Sequence, residues 1–153
     1  MTDLVVYYSR TQQTEIVAQT ISDELGAKLI EVKDQKNRDG SIMYMKAAVD
    51  AMRNADTDIK YDDVNLADYE TIYIGGPVWA SKPTPAVRKF IAENDFTDCN
   101  VITFATMMSS GDKPTLDIMN SEIKAKGGNI LRSFAIATKD TDVKKLTLDA
   151  LRK

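Results

Sequence analysis

The sequence predicts an α/β fold, a doubly wound five-stranded parallel sheet in the order 2-1-3-4-5 with helices on both faces. Three observations carry this reading. Apolar runs alternate with amphipathic segments along all 153 residues, and no repeat, low-complexity stretch or linker interrupts them. Three of the runs are nearly continuously apolar, as parallel strands buried on both faces are. Strands alternating with helices read as βαβ units with right-handed crossovers. The length fits one compact domain over residues 1–153.

The strands are expected at 4–8, 28–32, 71–75, 100–105 and 129–137. After the first, Val17, Ile21 and Leu25 recur as one helical face and Gly26 stops the helix. Between the second and third strands, Ile42, Met45, Val49 and Met52 mark an extra helix over 40–53. The polar stretch 54–63 that follows reads as an irregular surface connection. Thr84 then supplies an N-cap and Pro85 a first-turn proline, ahead of Val87, Phe90 and Ile91 on one face. Leu116, Met119 and Ile123 repeat the pattern between Pro114 and Gly127-Gly128, and Val143, Leu146 and Ala150 mark a closing helix. In the 2-1-3-4-5 order, the loops after strands one, three and four meet at the carboxyl edge where the order reverses. Ligands bind at such a point, so function is sought in those loops.

Composition removes several chemistries. Apolar residues make up 43%, enough for a sizeable core, and the net charge is −3. The 20 Lys and Arg are scattered, so nucleic acid is not an expected partner. Histidine, the commonest general base and metal ligand, is absent, and no metal site is expected. A single cysteine, Cys99, excludes disulfides and dithiol chemistry within one chain. Redox chemistry would therefore need a bound cofactor. Leu4 to Tyr8 follow Asp3 without a basic leader and are too short to span a bilayer; no membrane association and a cytoplasmic location are expected.

The first loop reads Ser9-Arg10-Thr11-Gln12-Gln13-Thr14, between a buried strand and an amphipathic helix. Three hydroxyls at a helix N-terminus suit an anion, because free backbone N–H groups and the helix dipole point the same way. A single hydroxyl capping the helix is the plainer alternative. The second loop, Gly75-Gly76-Pro77-Val78-Trp79-Ala80-Ser81-Lys82-Pro83-Thr84-Pro85, holds the one tryptophan. Trp79 there could stack on a planar ligand or fold onto the core. The third loop, Thr106-Met107-Met108-Ser109-Ser110-Gly111-Asp112, is small and polar, so its backbone could close on a ligand edge. Met107 and Met108 are suited either to an aromatic ring or to core filling.

These three loops resemble those of the flavodoxin family, and the resemblance covers essentially the whole chain. Ser9, Thr11 and Thr14 match the hydroxyl positions of its phosphate signature, Ser/Thr-x-Thr-Gly-x-Thr, with Gln12 in place of glycine. Gln12 is expected to hold ordinary helical dihedrals, as a good helix former beginning a helix. The segment from Gly75 to Trp79 looks like the family's Gly-x-Pro-x-Trp loop, whose backbone and aromatic face the flavin ring. Ala80 and Ser81 stand where the family often has glycine. The Thr106–Gly111 loop is similar to the family's third flavin loop, and Tyr44 to Ala51 look like a helix of its short-chain members. The resemblance implies an FMN cofactor held by residues 9–14, by Pro77, Val78, Trp79 and Ala80, and by Thr106, Met107, Met108, Ser109, Ser110 and Gly111.

Other readings fail on particular residues. A Cys-x5-Arg phosphatase loop would need arginine where Ala105 stands, and Cys99 precedes its strand; it reads as a buried structural thiol. A receiver domain would need acids where Tyr8-Ser9 and Gly75-Gly76 stand. No Gly-x-Gly-x-x-Gly follows a strand. Within the flavin reading, the expected function is a low-potential electron carrier between redox proteins, a monomer or weak dimer without a substrate of its own. The alternatives are an FMN-dependent NAD(P)H:quinone-type oxidoreductase and a binding module that has lost its flavin.

Overall fold

The computed structural model describes residues 2–10, 12–34 and 58–152. The expected helix over 40–53 lies outside these residues.

The chain opens with β1 (Leu4–Tyr7), whose side chains alternate between two cores. Leu4 and Val6 enter one cluster with Ile72, Ile74, Phe90 and Met119; Val5 and Tyr7 enter the other with Val17, Ile21, Phe104 and Val143. Helix α1 (Gln13–Leu25) follows on the second face and ends at Gly26, whose φ of 66° closes it in the left-handed conformation. Strand β2 (Lys28–Glu31) pairs parallel with β1.

Residues expected to be irregular contribute a strand. Lys33–Asp34 (β3) pair antiparallel with Ile59–Lys60 (β4), a ribbon too short to show any hydrophobic alternation. A 3-10 turn at Leu66–Asp68, capped by Asn65, leads into β5 (Thr71–Trp79), which pairs parallel with β1.

Strand β5 runs four residues past its expected end at position 75 and turns back through β6 (Lys82–Pro83). Val78 pairs with Pro83 and Trp79 with Lys82, so the segment read as a loop is a tight hairpin. Its two central residues, Ala80 and Ser81, both have positive φ (52° and 60°), the twist-matching geometry of two-residue hairpins. Gly75 and Gly76 are strand residues selected for space. A Cβ on Gly75 would stand 2.3 Å from the Phe104 ring, and one on Gly76 would stand 2.8 Å from Val87 Cγ2.

Thr84 caps α2 (Pro85–Glu93) as the sequence predicts, with the Val87 amide donating to its hydroxyl. Strand β7 (Asn100–Met107) also outruns its expected end, taking Thr106 and Met107 into the sheet. Helix α3 (Asp112–Ala125) begins at Asp112, so Pro114 lies in its first turn and does not precede it. Strand β8 (Asn129–Ala137) and α4 (Val143–Leu151), capped by Asp142, complete the described chain.

The principal sheet runs β2-β1-β5-β7-β8, all parallel, with β6 added antiparallel to β5. Counted over the five long strands this is the expected 2-1-3-4-5; the short antiparallel β6 is the addition. The β7–β8 register shifts once. Val101 faces Ile130 but Ile102 faces Arg132, leaving Leu131 bulged out and 50% exposed. The order reverses between β1 and β5, which places the ends of β1, β5 and β7 side by side.

Candidate functional site

A cleft of about 200 Å3 opens at this reversal. Arg10 and Gln13 form one wall, Pro77, Val78 and Trp79 a second, and Thr106, Met107 and Met108 a third. Thr138, just past β8, completes it. The order of the sheet thus brings together the three loops that sequence alone singles out.

At the first wall, Gln12 is the N-cap of α1 with φ 73° and ψ −14°, a left-handed backbone in place of the expected helical one. The chain turns sharply there to bring the start of α1 over the end of β1, and its side chain makes no cap hydrogen bond. Ser9 takes that part, as the Glu15 amide donates to its Oγ at 3.4 Å. Thr14 is buried, and its hydroxyl pairs with that of Thr106 at 2.7 Å, tying the first turn of α1 to the end of β7. Thr14 is therefore engaged inside the protein, the partly exposed Ser9 keeps its O–H donor, and neither lines the cleft. Thr11 lies outside the described residues. In the first turn of a helix the amides of Gln13 and Thr14 have no intrahelical acceptor, which keeps this wall suited to an anion.

At the second wall, Trp79 is 4% exposed and belongs to the core, its ring set edge-on against Tyr8 at 5.8 Å and 86°. The two sequence readings of this residue coincide: its indole packs on the core and also borders the cleft. Ala80 sits exposed in the hairpin turn, away from the lining. The third wall starts in strand and not in loop. Met107 is half-buried, whereas Met108 is 70% exposed and so does not fill the core. Ser109 and Ser110 are exposed, and Gly111, at φ 95°, is the N-cap of α3. A Cβ on Gly111 would stand 2.8 Å from Val78 Cγ1, so the third loop packs directly on the β5–β6 hairpin.

Thr138 is the residue that sequence reasoning missed. Its amide and its hydroxyl both donate to the Met107 carbonyl, at 2.8 and 3.1 Å, fixing the start of the third loop. A lone threonine after the last strand carries no motif that could have flagged it. Behind the first wall, the Tyr7 hydroxyl donates to Glu15 at 3.4 Å, and burial together with Glu31 and Glu15 pushes its pKa up to about 12. Burial likewise raises the Cys99 thiol, which is the buried structural cysteine expected. Among the described residues no cluster of His, Cys, Asp or Glu could hold a metal ion, and no helix is long and apolar enough to cross a membrane.

The family model described as Flavodoxin matches residues 2–145. The chain belongs to the flavodoxin family. A flavoprotein from Lactobacillus acidophilus NCFM, solved in complex with FMN, superposes with a TM-score of 0.79 at 22% identity, covering 99% of each chain. Oxidised Flavodoxin 2 from Bacillus cereus gives a TM-score of 0.63 at 15% identity, over 98% of this chain and 94% of that one. A flavodoxin from the domain Archaea gives 0.59 at 16%, over 99% and 97%. At these identities the structural likeness speaks to the fold. No curated protein sequence matches significantly. FMN is the cofactor of flavodoxins, and the residues here suit it: a cationic wall at a helix start faces walls that carry an aromatic ring, aliphatic side chains and two methionines. At about 200 Å3 the cleft is smaller than the roughly 300–1,000 Å3 of typical ligand pockets, so it encloses part of such a ligand.

Proposed function

We propose that this flavodoxin binds FMN in the cleft and serves as a low-potential electron carrier between redox proteins, with no substrate of its own. The observation that carries this reading is the lining itself. Among the described residues, none of the nine that line it is an acid, a lysine, a histidine or a thiol, so these walls suit a held redox group more than acid–base chemistry of their own. Bound FMN would supply one- and two-electron chemistry. Arg10 and Gln13 would hold the phosphate end, and Pro77, Val78, Trp79, Met107 and Met108 would flank the ring. The apolar walls disfavour extra negative charge on the reduced ring, which keeps the potential low. The alternative, an NAD(P)H:quinone-type oxidoreductase, would in addition need room over the ring for a second planar molecule. The carrier would work in the cytoplasm as a monomer or weak dimer.

The test is spectroscopic. The purified protein should be yellow and release FMN on denaturation, and FMN added to apoprotein should quench the single tryptophan. The flavin should be reduced by a reductase protein but not by NAD(P)H alone. Rapid direct reduction by NAD(P)H would favour the oxidoreductase reading, and a protein that binds no flavin would refute both.

A further inference from the structure

Strand β7 leaves the sheet at Met107, and Thr138 holds it there. The Met107 carbonyl accepts twice from that one residue, from its amide at 2.8 Å and from its hydroxyl at 3.1 Å, so both lone pairs are occupied from the β8 side. Among the described residues no peptide bond is cis, and across a planar trans peptide the N–H points opposite to the C=O. The Met108 amide is therefore turned away from β8, towards the β5 side, where Pro77, Val78 and Trp79 form the second wall of the cleft. The parallel ladder between β5 and β7 stops at the pair Pro77–Thr106, because Val78 and Trp79 pair with β6. Among the described residues, the Met108 amide accordingly donates to no acceptor. The half-buried Thr138 thus fixes the direction of an uncommitted donor at the edge of a cleft that both residues line.

We propose that Thr138 is a positioning residue for the ring of the bound flavin: by taking both lone pairs of the Met107 carbonyl, it aims the Met108 amide at an acceptor on the edge of that planar heterocycle. The inference rests on the FMN reading and adds to it a residue from a fourth segment, after β8. Thr138 acts through the Met107–Met108 peptide, and the amide makes the contact. An N–H donor is stronger towards an acceptor that carries negative charge, so this one favours the reduced ring over the oxidised one.

The experiment titrates wild type, Thr138→Val and Thr138→Ser with FMN, riboflavin and lumiflavin, the last being the ring without its ribityl chain. Heteronuclear NMR follows the Met108 amide. Valine keeps the branched shape and the backbone bond and removes only the hydroxyl. All three flavins should then bind about two- to tenfold more weakly, the scale of one neutral hydrogen bond, and the midpoint potential of bound FMN should fall. Serine should restore both. FMN should shift the Met108 amide of wild type and slow its exchange with water, and do so less in the valine variant. If melting of the apoprotein shows that the valine variant does not fold, Thr138→Ala carries the same test. A loss confined to FMN and riboflavin would mean that Thr138 addresses the ribityl chain, and overturns the inference. So do unchanged binding and potential without the hydroxyl, or a Met108 amide that FMN leaves unmoved. In those cases the FMN reading stands. If wild type binds none of the three flavins, that reading falls and takes the inference with it.

Discussion

Gln12 holds a left-handed backbone that its side chain does nothing to support, since it makes no cap hydrogen bond. For a residue with a Cβ this conformation costs about 1–2 kcal/mol, whereas glycine adopts it freely and loses only about 0.5–1 kcal/mol in extra unfolded-state entropy. Gln12→Gly should therefore stabilise the protein by about 0.5–1 kcal/mol. It should also tighten FMN binding a few-fold, because less strain must be held while the loop closes on its ligand. Urea unfolding and calorimetric titration measure the two effects. Equal or lower stability of the variant would show that the glutamine side chain contributes something the backbone geometry does not reveal. The neighbouring hydroxyls follow a different logic. Ser9 does the capping that Gln12 does not, and Thr14 is held by a partner 92 positions away, a contact no local pattern can announce.

The β5–β6 hairpin repeats this tension at the level of an element. Both central residues have positive φ, yet neither is asparagine or glycine. The paired substitution Ala80→Asn with Ser81→Gly should raise stability by about 1 kcal/mol, about 2–4 °C in melting temperature for a chain of this size. Thermal unfolding followed by circular dichroism tests this, and a lower melting temperature would mean that the turn is not strained. The same hairpin marks where the sequence stops being legible. Every long strand was recognisable from its apolar run, and Thr84 and Gly26 bounded their helices correctly. The ends of β5 and β7 were not, because Gly75, Gly76 and Pro77 look like turn punctuation. Their pairing with Phe104, Ala105 and Thr106 makes them strand, and that pairing is a tertiary fact. The site was legible as three loops because topology alone brings them together. Its inner arrangement was not: Thr14 turns towards Thr106, Trp79 packs on Tyr8, and Thr138 joins from a fourth segment.

Over the whole molecule, folding free energy should fall in strong alkali, and Tyr7 gives the direction. Its hydroxyl ionises near 10.0 when solvated and at about 12 in the fold, so the folded state holds this proton more tightly. That contribution is complete below pH 10.0 and drains away as pH rises to about 12. Tyr61 and Tyr73 are shifted the same way. Tyr7→Phe should flatten the decline without abolishing it, as urea midpoints across that range will show; an unaltered slope would remove Tyr7 from the account. The bulge at Leu131 has a colloidal consequence. Strand β8 ends the sheet, and among the described residues no strand pairs with its outer side. A straight outer strand of nine residues would let neighbouring molecules stitch on, backbone to backbone, and a net charge of −3 repels them only weakly. One displaced residue breaks the rhythm of that row, so neighbouring molecules should stitch onto it poorly. Deleting Leu131 should straighten the strand, and light scattering at high concentration should then climb with time while the parent protein stays clear.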